Sequence, residues 1–230
     1  MDFKKGIKDG IPIALGYFSV SIAFGLMAAE AGCTWFEAML ISITNLTSAG
    51  QFAGVTVLAG MGTYLEMALT QLVINSRYAL MGISLSQKTD SKIKGIWRAL
   101  LGYAITDEIF AVAIGQDGEI SRSYYAGLMI IPVLGWTSGT VVGAVLGNIM
   151  PLIITNALGV ALYGMFIAVV VPKARENLHV LAAVLIAIAV SAAIFYIPVF
   201  DGISSGFAII ICAVIASAAA ALIFPVKEEE

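Results

Sequence analysis

The chain has 230 residues, of which 60% are hydrophobic and only 12% are charged. A soluble domain is roughly 45–50% apolar and about 25% charged, so this composition excludes a soluble globular protein and predicts one that lies in a lipid bilayer. The formal net charge of −3 is small, and the sequence has no basic stripe with which to bind nucleic acid.

Most of the chain consists of apolar runs long enough to cross a bilayer as helices, which takes about 17–25 residues each. They occupy residues 10–30, 38–60, 64–85, 97–115, 123–147, 178–198 and 205–224, and a shorter run fills 150–171. The loops between them are too short to hold a soluble domain. The sequence therefore predicts an all-α integral membrane protein, in which residues 1–230 form a single polytopic domain.

The run 38–60 is apolar at its ends and polar at its centre. Its middle carries Asn45, Ser48 and Gln51, with Gly50 beside them. Lipid offers no hydrogen-bond partners to these side chains, or to the backbone that glycine and serine loosen. We therefore predict a broken helix whose polar middle lines a substrate site.

Lysines and arginines in the loops predict which runs cross the membrane. Short basic loops stay in the cytoplasm, and the basic clusters of this chain lie at 4–8, 88–98, 173–175 and 227. If every run crossed and the N-terminus were cytoplasmic, the basic cluster at 88–98 would be external. If 38–60 and 150–171 instead enter and leave on one side, all four clusters and both termini are cytoplasmic, while loops 116–122 and 199–204 are external.

The fold prediction is therefore about six full spans plus two broken or re-entrant segments, 38–60 and 150–171. Seven or eight full spans is the alternative. A short match between Ile43-Thr-Asn45 and Ile154-Thr-Asn156 relates the two segments and makes Asn156 the counterpart of Asn45. The halves 10–115 and 123–224 would then be inverted repeats, an architecture in which transporters bind substrate near the midplane beside unwound helices.

Ionisable side chains lie deep inside two of the runs. Asp107 and Glu108 come about ten residues into run 97–115, roughly 15 Å deep if that run is one helix. A carboxylate at such depth is by default a functional-site candidate. Arg77 can pair with one of them or hold a substrate carboxylate, with Asn75 as a further hydrogen-bonding group. Glu66, which begins the run 64–85, is expected at the membrane interface.

Four stretches of the chain are distinctive when they are taken together. They are Gly10-Ile-Pro-x4-Tyr17 with Ser21-x-Ala-Phe-Gly25, Ser48-Ala-Gly-Gln-Phe52, Asn75-Ser-Arg-Tyr78 and Thr106-Asp-Glu-Ile-Phe110. With Trp136 and the glycines that follow it, they resemble the AzlC family of branched-chain amino acid exporters. Tyr78 departs from the pattern, because the family is expected to have histidine after the arginine. The resemblance implies export of apolar L-amino acids across a prokaryotic inner membrane, with a separately encoded small hydrophobic subunit of the AzlD type.

The predicted function is a secondary transporter for a small amino acid, with or without proton coupling. The substrate carboxylate would meet open backbone amides at a helix N-terminus near Gly50 and Gln51, because such termini favour anions. Asp107 or Glu108 would receive the substrate ammonium or carry a coupling proton. The apolar side chain of the substrate would lie against Phe52, Phe110 and Trp136.

Two other classes of function fit the sequence less well than a transporter does. A passive channel for small solutes, which also uses re-entrant segments, is the alternative, and its flux would not saturate. An enzyme is not expected, because the chain has no His-Glu-x-x-His motif and no buried histidine to act as a base. Cys33 and Cys212 have no metal-binding spacing, so no cofactor is predicted.

Overall fold

The computed structural model describes residues 2–91, 93–147, 153, 164, 167, 170–200 and 202–225. These residues are helical almost throughout, which confirms an all-α protein. The named helices are α1 (Phe3–Glu30), α2 (Trp35–Thr44), α3 (Ala49–Ala59), α4 (Tyr64–Lys88), α5 (Ile96–Tyr103), α6 (Asp107–Ile114), α7 (Arg122–Leu146), α8 (Leu178–Tyr196) and α9 (Ser205–Ile223). By length and composition, the described helices α1, α7, α8 and α9 can each cross a membrane.

The chain divides into two compact units. Unit 1 comprises residues 1–52 and 75–159, and unit 2 comprises residues 53–74 and 160–230. The predicted inverted halves and the single domain stay predictions. The second predicted re-entrant segment, 150–171, lies almost wholly outside the described residues, and Asn156 lies outside them too.

Unit 1 is built on a close parallel pair, α1 and α7, held together at glycines. Gly6 lies against the backbone of Tyr124 near the start of both helices, and Gly25 lies against the backbone of Thr140 towards their ends. Between these two contacts, Gly139 faces Phe18. Small residues let two helix backbones approach in a membrane, and a Cβ at any of these glycines would collide with main-chain atoms of the opposite helix.

The predicted break in run 38–60 is confirmed. α2 begins beside the C-terminal end of α1, with a capping box between Thr34 and Glu37, and ends at Thr44. Residues 45–48, here called the first tip, are not helical, and Ser48 adopts a left-handed backbone conformation with a φ of 47°. α3 then begins at Ala49. The chain has turned back by Phe52, whose ring packs edge-on against Phe24, nearer the C-terminal end of α1.

A second break divides run 97–115, which was expected to be one full span. α5 and α6 have eight residues each, about 12 Å of helix, so neither can cross a hydrocarbon core of about 30 Å. Residues 104–106, here called the second tip, separate them. Thr106 has an extended backbone and its Oγ1 accepts the Ile109 amide at 3.3 Å, which caps the N-terminus of α6. The expectation that Asp107 and Glu108 lie inside a continuous helix was therefore wrong.

The second break also corrects the predicted side of loop 116–122. Lys5, near the N-terminal end of α1, donates to Gln116 at 2.6 Å. The Ile120 amide donates to the Lys88 carbonyl at 2.9 Å, and the Ile120 carbonyl accepts the Asp90 amide at 3.1 Å. Loops 86–98 and 116–122 therefore lie at the same end of unit 1, whereas the sequence had placed them on opposite sides. The pair α5–α6 enters and leaves at that end.

A labelling experiment tests this shared end with proteins that each hold a single cysteine. Lys4→Cys and Asp117→Cys, both at exposed positions, should react with a membrane-impermeant maleimide from one face. Native Cys33, beyond the opposite end of α1, should react from the other face. Partial burial and the nearby Glu37 raise the pKa of the Cys33 thiol, so its labelling is expected to be faster at alkaline pH. If Lys4→Cys and Asp117→Cys instead react from opposite faces, run 97–115 crosses the membrane, as the sequence predicted.

Unit 2 contains an antiparallel helical hairpin and a buried acid. The His179 ring at the start of α8 stacks on Phe224 just beyond α9, with 4.2 Å between the ring centroids. Glu66, in the first turn of α4, is only 4% exposed. Its carboxylate accepts the Ser204 hydroxyl and, at 2.9 Å, the Gly206 amide at the N-terminus of α9. Glu66 was expected at the membrane interface, which stays a prediction; the structure adds that its carboxylate is buried against a helix N-terminus, where backbone amides favour an acidic group.

Candidate functional site

The two tips meet near the middle of unit 1. The Tyr103 hydroxyl, at the end of α5, donates to the Ile43 carbonyl near the end of α2. The Tyr78 hydroxyl, midway along α4, donates to the Thr47 carbonyl of the first tip at 3.4 Å. The first broken segment starts beside the C-terminal end of α1 and the second starts at its N-terminal end. Two interrupted helices from opposite ends therefore converge on one region, as expected of a midplane binding site.

An ion pair joins α4 to the start of α6, directly after the second tip. Arg77 Nη1 lies 2.6 Å from Asp107 Oδ2, and the two side chains are 42% and 40% exposed. Asp107 is the first residue of α6, where the helix dipole and the unsatisfied amides favour a negative charge. Arg77 also donates from Nη2 to the Tyr78 hydroxyl at 3.1 Å. The pairing of Arg77 with one of the two acids was one of two alternatives open from the sequence.

Tyr17 is a central residue of the site that sequence reasoning missed. Its hydroxyl, midway along α1, donates to Glu108 Oε2 at 2.5 Å and lies 2.6 Å from Thr106 Oγ1. The two adjacent acids thus have different partners, Asp107 a guanidinium and Glu108 a phenol. A polar hydroxyl in the middle of an apolar helix must find a partner, and that signal could have identified Tyr17 from the sequence.

A buried polar chain runs beside this cluster. Gln51 Nε2 donates to Ser42 Oγ at 3.1 Å, and Ser42 shares a hydrogen bond of 2.7 Å with Thr140. Trp136, one turn before Thr140, packs its ring edge-on against Tyr17 with 5.4 Å between centroids. Among the described residues, the Gln51 Oε1 and Trp136 Nε1 atoms have no hydrogen-bond partner although both are buried. Unpaired buried polar atoms are rare in native proteins, and a hydrogen-bonding role in function is one explanation for them.

The predicted site residues thus fall into three groups. Arg77, Asp107 and Glu108 lie together where the tips meet, and Asn75 lies on the same helix as Arg77. Asn45 ends α2 and accepts the Thr47 hydroxyl at 2.8 Å, so Asn45 and Ser48 form the first tip. Gln51, Phe52 and Trp136 are buried. The Gly50 amide, expected to be open to an anion, donates to the Thr47 carbonyl at 3.2 Å.

Comparison with known proteins places the chain in a family. The family model described as AzlC protein matches residues 12–150. The inner membrane protein YgaZ of Escherichia coli K12 is 30% identical over 86% of this chain and 84% of its own length. An uncharacterized membrane protein of Archaeoglobus fulgidus is 28% identical over 79% and 80% of the two chains.

A more distant relative carries a functional name. The branched-chain amino acid transport protein AzlC of Bacillus subtilis strain 168 is 20% identical over 84% of this chain and 77% of its own. No solved structure matches the chain. The chain therefore belongs to the AzlC family of membrane proteins, and this membership supports a role in membrane transport.

Proposed function

We propose that the chain is a secondary transporter that exports branched-chain or similar apolar L-amino acids. The observation that carries the proposal is the convergence of two interrupted helices on Arg77, Asp107, Glu108 and Tyr17. Acids and a guanidinium at mid-depth are costly in a bilayer, and are retained where they bind substrates or carry ions. An amino acid is a zwitterion, so it needs both signs of charge in one place, and this site supplies both.

The surroundings of the charged cluster favour an apolar side chain on the substrate. Trp136 and Phe52 are buried beside the polar chain, and their rings contact Tyr17 and Phe24. Such rings offer large apolar contact area to an aliphatic group. The Bacillus subtilis relative, named as a branched-chain amino acid transport protein, agrees with this substrate class. A passive channel, which is the alternative, would not need a positive and a negative side chain placed to bind the two charges of a zwitterion.

Glu108 is our candidate for proton coupling. Its single described side-chain partner is a phenol, which can donate to a carboxylate or accept from a carboxylic acid. Asp107, in contrast, is held by a permanently charged guanidinium. The two neighbouring acids therefore differ in the charge of their partner, which is neutral for Glu108 and positive for Asp107. We assign the coupling proton to Glu108 and substrate contact to Asp107.

The proposed exporter has two components and resides in a prokaryotic inner membrane. A small AzlD-type subunit would complete the pathway, as the family resemblance implies, and the chain would be the large subunit. The N-terminus is proposed to be cytoplasmic, because the basic clusters at 4–8 and 88–98 lie at the same end of unit 1. The C-terminus is proposed to be cytoplasmic because Lys227 lies near it. Transport requires no catalytic step in this scheme.

Amino acid efflux from loaded membrane vesicles tests the proposal. Glu108→Gln should abolish the acceleration of leucine efflux by a proton gradient, and Asp107→Asn should lower leucine flux at every pH. A saturable flux separates the transporter from a channel. If both substitutions leave leucine flux unchanged, the proposed function is wrong. Flux that neither saturates nor responds to collapse of the proton gradient would favour the channel.

A further inference from the structure

We propose that Arg77 and Asp107, which form an ion pair in this structure, bind the two charged groups of the substrate. The amino acid enters between the two side chains, so that its carboxylate binds Arg77 and its ammonium binds Asp107. One ion pair is thereby replaced by two. This inference rests on the proposed function and adds to it which group binds which end of the substrate.

The geometry makes this exchange accessible. About two fifths of each side chain is exposed, so a solute can reach both partners without unfolding either helix. Arg77 carries five N–H donors and uses one nitrogen for Asp107 and another for Tyr78. It can therefore take a carboxylate in place of Asp107 while its bond to Tyr78 remains. Asp107 keeps the stabilising N-terminus of α6 after Arg77 has left it.

The exchange explains why the ligand should be a zwitterion. A ligand with only a carboxylate would occupy Arg77 and leave Asp107 without a countercharge, and a simple amine would do the reverse. A ligand that engages only one partner of the ion pair leaves the other without its countercharge, which is unfavourable, although the partial exposure of both side chains reduces the effect. We therefore expect such half-ligands to bind about 10-fold more weakly than the amino acid of the same side chain.

The same ion pair also links the two tips. Asp107 directly follows the second tip, and Arg77 contacts Tyr78, whose hydroxyl donates to the Thr47 carbonyl of the first tip. A substrate that separates Arg77 from Asp107 therefore alters the connection between two interrupted helices that start at opposite ends of unit 1. Substrate binding and movement of the tips would share one set of contacts, as alternating access requires.

The first experiment measures ligand selectivity with the full-length protein. Three ligands share one branched side chain: L-leucine, 4-methylpentanoate without the ammonium, and 3-methylbutylamine without the carboxylate. Only L-leucine should raise the thermal unfolding midpoint of the solubilised protein, and only L-leucine should compete with labelled leucine in membrane vesicles. Equal competition by either half-ligand would overturn the inference.

Two double variants distinguish an ion pair that binds substrate from one that only stabilises the fold. Arg77→Gln with Asp107→Asn removes both charges, and Arg77→Asp with Asp107→Arg exchanges them. The neutral pair should fold, as judged by yield and unfolding midpoint, because it leaves no lone charge. The exchanged pair places an arginine at the N-terminus of α6 and should lower the midpoint. Both should lose leucine transport at least about 10-fold, because neither presents the charges in the original arrangement. If the neutral pair transports leucine at the wild-type rate, the inference is wrong while the proposed function stands. If the wild-type protein, tested together with its AzlD-type subunit, transports no amino acid, the proposed function itself fails.

Discussion

Gly25→Ala is expected to destabilise the protein, whereas Gly16→Ala on the same helix is expected to be tolerated. A Cβ at Gly25 would collide with the Thr140 carbonyl and lie 2.7 Å from the Ala144 amide nitrogen, both main-chain atoms of α7. A Cβ at Gly16 meets nothing within 4 Å. Overpacking a close contact costs typically about 1–3 kcal/mol and sometimes more, and here the two helices can relieve it only by moving apart.

Unfolding midpoints of the solubilised variants measure this difference. Gly25→Ala should lower the midpoint and the yield of folded protein, and Gly16→Ala should match or slightly exceed the wild type, since alanine favours helix over glycine by up to about 1 kcal/mol. The two variants add the same methyl group to the same helix, so their difference reports the contact with α7 alone. Equal midpoints would argue against the close parallel packing of α1 on α7.

Tyr17→Phe is expected to lower leucine transport about 10- to 100-fold without unfolding the protein. The substitution removes the hydroxyl that donates to Glu108 at 2.5 Å and keeps the ring that packs on Trp136. A hydrogen bond to a charged group contributes about 1.5–3 kcal/mol, and each 1.4 kcal/mol is roughly tenfold in rate. If Glu108 carries the coupling proton, the pH dependence of efflux should also change.

Tyr124→Phe is the matched control. The Tyr124 hydroxyl also donates to a carboxylate, that of Asp9 at 2.8 Å, but near the N-terminal end of α1 and away from the tips. Its loss should leave leucine transport within about threefold of the wild type, since it removes a hydrogen bond that the site does not use. A similar loss in both variants would assign the effect to folding, and wild-type transport by Tyr17→Phe would remove this hydroxyl from the mechanism.

The break in run 38–60 was predicted from the sequence, whereas the break in run 97–115 was not. Asn45, Ser48 and Gly50 interrupt run 38–60 with polar and flexible residues, and the structure breaks the helix among them. Run 97–115 is interrupted at Ala104-Ile-Thr106, where only Thr106 is polar, so hydropathy predicted a continuous span. The cap signal was present nonetheless, because a threonine followed by two acids is typical of a helix N-terminus.

The side of loop 116–122 could not be read from its charges. Arg122 is its one basic residue, so the loop carries little of the basic excess that sets orientation. Its position depends instead on whether the preceding run crosses the membrane. That is decided by contacts of Lys5 and Lys88 with residues 114–120, which hydropathy and loop charge do not report.

The sequence by itself determined the membrane class, the helical fold, the first break and the family, and it named three charged candidates that the structure brings together. These follow from composition, local pattern and short motifs, which do not depend on how the chain packs. Only the tertiary structure decided that run 97–115 turns back, that Glu66 is buried and that Tyr17 completes the site. Each of these rests on partners distant in the chain: Tyr17 and Glu108 are 91 residues apart, and Glu66 and Ser204 are 138 apart. A polar group in an apolar environment is stable only where such a partner reaches it, and no local pattern records which partner that is.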